Sequence, residues 1–196
     1  MMPGGAIPPL TGGPALLERA IGYALGGLAA VTPESLRRPT PCRGWDLSTL
    51  LAHLSDSLEA LGEAAALHHV VLAPDRGPRP ADPNPVAQLQ ESARRALGAW
   101  SGERPVGAVS VGGLPLRHDL VAAAGALEVA VHGWDLARAC GAERPLPEAL
   151  AVELLPCAVM FVGAEDRPGR FGDPLPVPAG ASASRQLLAF LGRRAH

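Results

Sequence analysis

The chain has 196 residues, 47% apolar and 18% charged, which is ample core-forming material for one domain and excludes disorder throughout. Aromatics are only 4%, against 23 Gly and 21 Pro, so the interior must be built from Ala, Leu and Val on helices with Pro/Gly-rich connections, and strand-rich folds are disfavoured. Seventeen basic residues, every one an Arg, against nineteen acidic ones give a net charge of −2 and leave no basic footprint for nucleic acid.

The chain reads as a single domain, 1–196, with 1–13 as a flexible leading segment. A first helix is expected over 14–31, where Leu17, Ile21, Ala24, Leu28 and Val31 recur in steps of four and three, the pattern of a bundle seam. Pro33, Pro39 and Pro41 break it, since a residue before proline is pushed out of the α region. Asp46 is a natural N-cap for a second helix to about residue 69, striped by Leu47, Leu51, Leu54, Leu58, Leu61 and Ala65. The five prolines of 74–85 predict an extended loop, and 85–100 a third helix. Valines around Gly112-Gly113 allow a short hairpin within 106–116. The fourth helix, 119–141, is apolar on most sides and therefore central. A fifth is expected over 147–162, kinked or split by Pro156. An extended stretch, 167–184, then leads to a short helix, 185–191, capped by Ser184.

Cys42, Cys140 and Cys157 form neither an even set nor a CxxC spacing, which argues against a disulfide framework and a zinc knuckle. The N-terminus has no basic leader, and the uncharged stretch 20–33, at 14 residues, is short of the ~18 a spanning helix needs, so a cytoplasmic protein without a membrane partner is expected.

Between Leu120 and Ala137 only Glu128, His132 and Asp135 can ionise. At about 100° per residue they fall within a wedge of about 60°, on one face of the fourth helix. A carboxylate on so apolar a helix needs a partner, because burying it alone costs several kcal/mol or forces its protonation. A cation shared by Glu128 and His132 would serve, and zinc suits that donor pair. His53, at the edge of the second helix's stripe beside the small residues Ser57, Ala60 and Ala64, supplies a third ligand and leaves the fourth position open. The competing reading is that these residues bond only to one another or to an Arg. Two His and one carboxylate also form the ligand set of non-haem iron oxygenases.

The run Pro39-Thr40-Pro41-Cys42-Arg43-Gly44-Trp45-Asp46, followed by Ala52-His53-Leu54, resembles the opening signature of the metal-binding domain of mycothiol-dependent maleylpyruvate isomerases. Glu128-Val129-Ala130-Val131-His132-Gly133-Trp134-Asp135-Leu136-Ala137 is similar to that family's second motif, and Arg170-Phe171-Gly172 to its closing segment. The resemblance, over 16–192, implies an all-α fold: the DinB/YfiT-like four-helix bundle in up-down-down-up order. It places the metal ligand role on His53, Glu128 and His132, with mycothiol as possible co-substrate. Members that isomerise maleylpyruvate carry a further C-terminal domain, so isomerase activity itself is not expected of this chain.

Asp135 is expected to orient a ligand histidine rather than pair with Arg138. Trp45 and Trp134 are expected to roof the pocket or join the core. Cys42 reads as a buried structural thiol, because only Arg43 adjoins it, and Cys140 lies about 80° from His132 around the helix. Arg117 and His118 read as a solvated loop pair, with contact to an anionic substrate as the alternative. The expected function is activation of a low-molecular-weight thiol for transfer or addition to a small electrophile. Metal-dependent hydrolysis and non-catalytic binding of a small molecule remain alternatives.

Overall fold

Apolar stripes at helical spacing fold as helices and bury one another. In the computed structural model, which describes residues 12–70, 83–101 and 108–195, they are α1 (Gly13–Gly27), α2 (Leu47–Leu67), α3 (Pro85–Trp100) and α4 (His118–Ala139). Local chemistry sets their ends. Asp46 accepts the Thr49 N–H at 2.8 Å to start α2, and Asn84 accepts that of Ala87 at 3.1 Å to start α3, with Pro85 in the first helical turn where its missing donor is harmless. α1 ends before the predicted 31, passing into a 3-10 turn over Leu28–Ala30, and α2 ends where His68 turns left-handed at φ 51°.

Contacts between helices fix their directions. Gly13 lies against Asp119 and Gly133 against Ala24, so α1 and α4 run parallel. Glu59 meets Ser92 and Gly62 faces Ala96, so α2 and α3 are also parallel. Leu61 packs on Gly125 while His53 meets Glu128, so α2 opposes α4. This is the up-down-down-up order expected from the resemblance. The connection from α2 to α3 must return about 30 Å, the length of α2, which accounts for the long stretch 68–84; the Pro-rich loop lies outside the described residues up to 82.

α4 is the core helix: sixteen of its 22 residues are buried, between α1, α2 and α5. It is apolar and long enough to cross a bilayer, but 83% of that apolar window is covered by the protein itself. The close approach of α1 and α4 depends on Gly133, where an added Cβ would stand 2.9 Å from the Ala24 Cα.

The C-terminal part adds α5 (Glu148–Phe161) and α6 (Ala183–Phe190), which pack together. Pro156 does not split α5, because it lies on the exposed side, where the carbonyl it leaves free faces water. Ser182, not Ser184, caps α6 by accepting the Arg185 N–H at 3.3 Å, and Glu148 accepts two further N–H groups of the first turn. The expected hairpin forms from β2 (Ala108–Val111) and β3 (Leu114–Arg117), turned by Gly112 and Gly113 at φ 58° and 85°. Unforeseen in the sequence is β1 (His69–Val70), which pairs parallel to β2; two residues are too few for any alternation to register. The sheet lies where α2 ends and α4 begins, about 20 Å along α2 from His53.

Two glycine substitutions should act with opposite sign. Gly133→Ala is expected to destabilise by about 1–3 kcal/mol through overpacking. Gly22→Ala, on the exposed face of α1 with no neighbouring element near its Cβ position, is expected to stabilise by about 0.5–1 kcal/mol. Urea unfolding of both variants checks this; destabilisation by both would mean the α1–α4 contact is not what limits position 133.

Candidate metal centre

The site lies between α2 and α4, roofed by the loop that precedes α2. In that loop Thr40 receives the Cys42 N–H on its hydroxyl at 3.2 Å, and the Trp45 N–H closes a turn onto the Cys42 carbonyl at 3.1 Å. The turn needs a left-handed residue at its third position, which Gly44 provides at φ 80°. Asp46 then starts the helix that carries His53 about two turns further on, so the loop motif and His53 form one structural unit.

Glu128 Oε1 lies 2.5 Å from His53 Nε2 and 3.3 Å from His132 Nε2, and the three donor atoms fall within 4.8 Å of one another. The i, i+4 spacing on α4 aligns Glu128 and His132, and α2 brings His53 across to them. Ser57, one turn beyond His53, donates to the same Glu128 oxygen at 3.4 Å. The Trp45 ring stands 4.8 Å from the His53 ring and 6.1 Å from that of His132. Trp134 is buried instead with Arg138 over its face, and none of its ring contacts is to either histidine.

Behind His132 lies a second polar cluster. Its Nδ1 is 3.0 Å from Asp135 Oδ2, and Asp135 is completely buried. Arg193 grips that carboxylate with two bonds, Nε to Oδ1 at 3.2 Å and a terminal nitrogen to Oδ2 at 2.8 Å. Asp135 therefore pairs with Arg193 and not with Arg138. The Cys42 thiol donates to Oδ2 at 3.3 Å and lies 3.6 Å from His132 Nδ1 and 3.7 Å from Arg193. Cys42 is half-buried rather than buried, inside the site's polar network and beside a cation, Arg193, contributed from 151 residues away in sequence, where Arg43 was the basic neighbour the sequence offered.

Electrostatics follow from these contacts. Burial pushes the Glu128 carboxyl up, but bonds from His132 and His53 outweigh it and hold it well below the usual carboxylate range. Burial alone would lower His132, yet Asp135, Cys42 and Glu128 raise it well above an ordinary histidine. Asp135 is likewise opposed by burial and held low by His132 and Arg193. Two ionised carboxylates in an apolar helix are thereby compensated.

A cleft of about 130 Å³ opens beside Glu128 and His132, walled by Leu127, Phe161 and Phe171, with Arg193 in its lining and Arg170 at its exposed edge. Arg117 and His118 stand elsewhere: Arg117 reaches Asp119 at 3.5 Å and the His118 ring packs 4.2 Å from Trp100, at the end of α4 away from this cleft. Cys140, at the end of α4, gives its carbonyl to Arg38.

Over residues 17–137 the sequence matches the family described as the mycothiol maleylpyruvate isomerase N-terminal domain. The chain belongs to that family. It is also 34% identical over 171 residues to two uncharacterized proteins of Mycobacterium tuberculosis, from strains CDC 1551 / Oshkosh and ATCC 25618 / H37Rv, an alignment covering 85% of this chain and 89% of each relative. No solved structure matches. Family membership makes this a mycothiol-related, metal-binding domain, and within the matched span lie Cys42, Trp45, His53, Glu128, His132 and Asp135. Arg193 lies beyond it. The sequence marks only a helix stop there, a short amphipathic helix followed by Leu191-Gly192, and nothing in it singles out Arg193.

Asp135 gives a pH test. A carboxyl held below its ordinary pKa in the fold contributes stability above about pH 4, and that contribution is lost as pH falls through the folded value. The difference in urea midpoint between the wild-type chain and Asp135→Asn is therefore expected to be widest near neutral pH and to narrow in acid. A difference that stays constant into acid would mean that Asp135 is not ionised in the fold.

Proposed function

We propose that His53, Glu128 and His132 hold one divalent metal ion, most naturally zinc, and that the centre activates a low-molecular-weight thiol such as mycothiol for transfer or addition to a small electrophile in the cytoplasm. The observation that carries this reading is the convergence of three donor atoms, from two helices, on one point beside a cleft. The donors fit the metal chemically: two imidazole nitrogens and one carboxylate oxygen are a common catalytic zinc set that leaves a position open. When bound, the ion stabilises a thiolate, the nucleophilic form of a thiol, at neutral pH.

The chain's own groups do the rest. Asp135 accepts a hydrogen bond at His132 Nδ1, which leaves Nε2 as the ligating nitrogen. Ser57 donates to Glu128 Oε1 and steadies that carboxylate. Trp45 covers both histidine rings and keeps water from that side, while Phe161 and Phe171 give the cleft an apolar wall for the electrophile's body. The site is small, so the electrophile is a small molecule rather than a polymer.

His132→Ala is expected to abolish stoichiometric zinc, measured by elemental analysis, while the helical circular dichroism spectrum persists. Chelation of the wild-type chain should lower the melting temperature without unfolding it at room temperature, because the helices bury apolar area independently of the site. With cobalt in place of zinc, adding mycothiol should produce a thiolate-to-cobalt charge-transfer band that is absent from His53→Ala. Cobalt that stays bound with a spectrum indifferent to mycothiol, cysteine and other small thiols would overturn thiol activation and favour hydrolysis or simple binding.

A further inference from the structure

Arg193, in the turn after α6, is a charged side chain brought into the interior of the fold. It is 8% exposed, although a guanidinium pays dearly for leaving water, and the fold takes specific steps to bring it inside. α6 ends in two reverse bonds, Gly192 N–H to the Ala189 carbonyl at 3.0 Å and Arg193 N–H to the Leu188 carbonyl at 2.8 Å. This helix stop requires a left-handed residue, and Gly192 has φ 77°. A side chain there is excluded twice over, since a Cβ on Gly192 would stand 2.6 Å from the Cα of Gly172. Two glycines in contact thus let the turn pass close to the 162–182 segment and aim the next residue at α4.

What Arg193 meets there is Asp135. The Oδ2 oxygen takes donors from Arg193, His132 Nδ1 and the Cys42 thiol at 2.8, 3.0 and 3.3 Å, while Oδ1 takes the Arg193 Nε. The two-point grip fixes the plane of the carboxylate, which a single bond could not do. A third guanidinium nitrogen donates to the Leu191 carbonyl at 3.0 Å, so Arg193 is itself held in place. A carboxylate so oriented accepts only, and His132 must present a hydrogen at Nδ1 and its other nitrogen to Glu128 and His53.

We infer that Arg193 is a positioning residue for the metal centre: through its two-point grip on Asp135 it fixes the ring orientation and ligating nitrogen of His132, and so tunes how tightly the centre holds its ion. Arg193 lies outside the span that matches the family, so the C-terminal turn completes a centre whose donors all come from α2 and α4. The inference rests on the proposed metal reading for its affinity arm alone, since the Nδ1 hydrogen can be observed with or without metal.

The test compares wild type, Arg193→Gln and Arg193→Lys, with Asp135→Asn as reference. Zinc affinity is read by competition with a chromophoric chelator, and the His132 Nδ1–H by ¹H–¹⁵N NMR in metal-free and zinc-loaded protein. Wild type should show a downfield, slowly exchanging Nδ1–H. Arg193→Gln should speed its exchange and weaken zinc binding about 10–100-fold, approaching Asp135→Asn. Arg193→Lys, which keeps the stem and charge but reaches one oxygen, should fall between. A passive tail anchor would change melting temperature while leaving the Nδ1–H and zinc affinity at wild-type values, and that result overturns the inference. Should Arg193→Gln fail to fold, Arg193→Lys decides: wild-type exchange and affinity in that variant also overturn it. If wild type binds no zinc while the Nδ1–H still responds to Arg193, the metal reading fails and the positioning role stands.

Discussion

Placing Glu128 and Asp135 on the core helix of the fold puts one carboxylate at the edge of the interior and one wholly inside it, and α4 does not satisfy them by itself. Much of the remaining architecture answers that demand from different directions. α2 brings His53 and Ser57 to Glu128, the loop before α2 brings Cys42, and the last turn of the chain brings Arg193 to Asp135. His132 sits between the two carboxylates and uses both ring nitrogens, one toward each. Asp135, fully buried, depends most on its cationic partner, because a buried charge that loses its counter-ion costs far more than the net worth of a satisfied pair.

The two sides of His132 have different characters. On the Glu128 side the groups are partly open and adjoin a cleft, so this is where a ligand can arrive. On the Asp135 side they are closed off and mutually saturated, with one oxygen taking three donors. The orientation of the imidazole is therefore decided on the closed side, away from the cleft.

The long helices were legible in the sequence because their Leu and Ala stripes are several turns long, and the α4 wedge was legible because three ionisable residues stand out against an apolar background. His53 was legible from its place at the edge of the second helix's stripe beside Ser57, Ala60 and Ala64, and the family motif carries the same residue. The surroundings of Cys42 were not legible because its cationic neighbour, Arg193, is separated from it by five helices. Arg193 carries no periodic signal, since one Arg among seventeen in a chain without Lys looks like any other. Its role exists only once the Gly172–Gly192 contact is made. Likewise β1 has two residues and takes its identity from β2, and the α6 cap shifted from Ser184 to Ser182 because either serine satisfies the local rule and only packing against Glu148 chooses between them.

The packing of Leu61 over Gly125 has a reach beyond the core. Leu61 stands a little over two turns from His53 and Gly125 within one turn of Glu128 along their respective helices, and the missing side chain of Gly125 is filled by the isobutyl group of Leu61. That insertion is one of the contacts that let α2 and α4 approach closely, together with those of His53 and Ser57 with Glu128. An apolar contact that touches neither His53 nor Glu128 thereby bears on how near the imidazole of one helix comes to the carboxylate of the other.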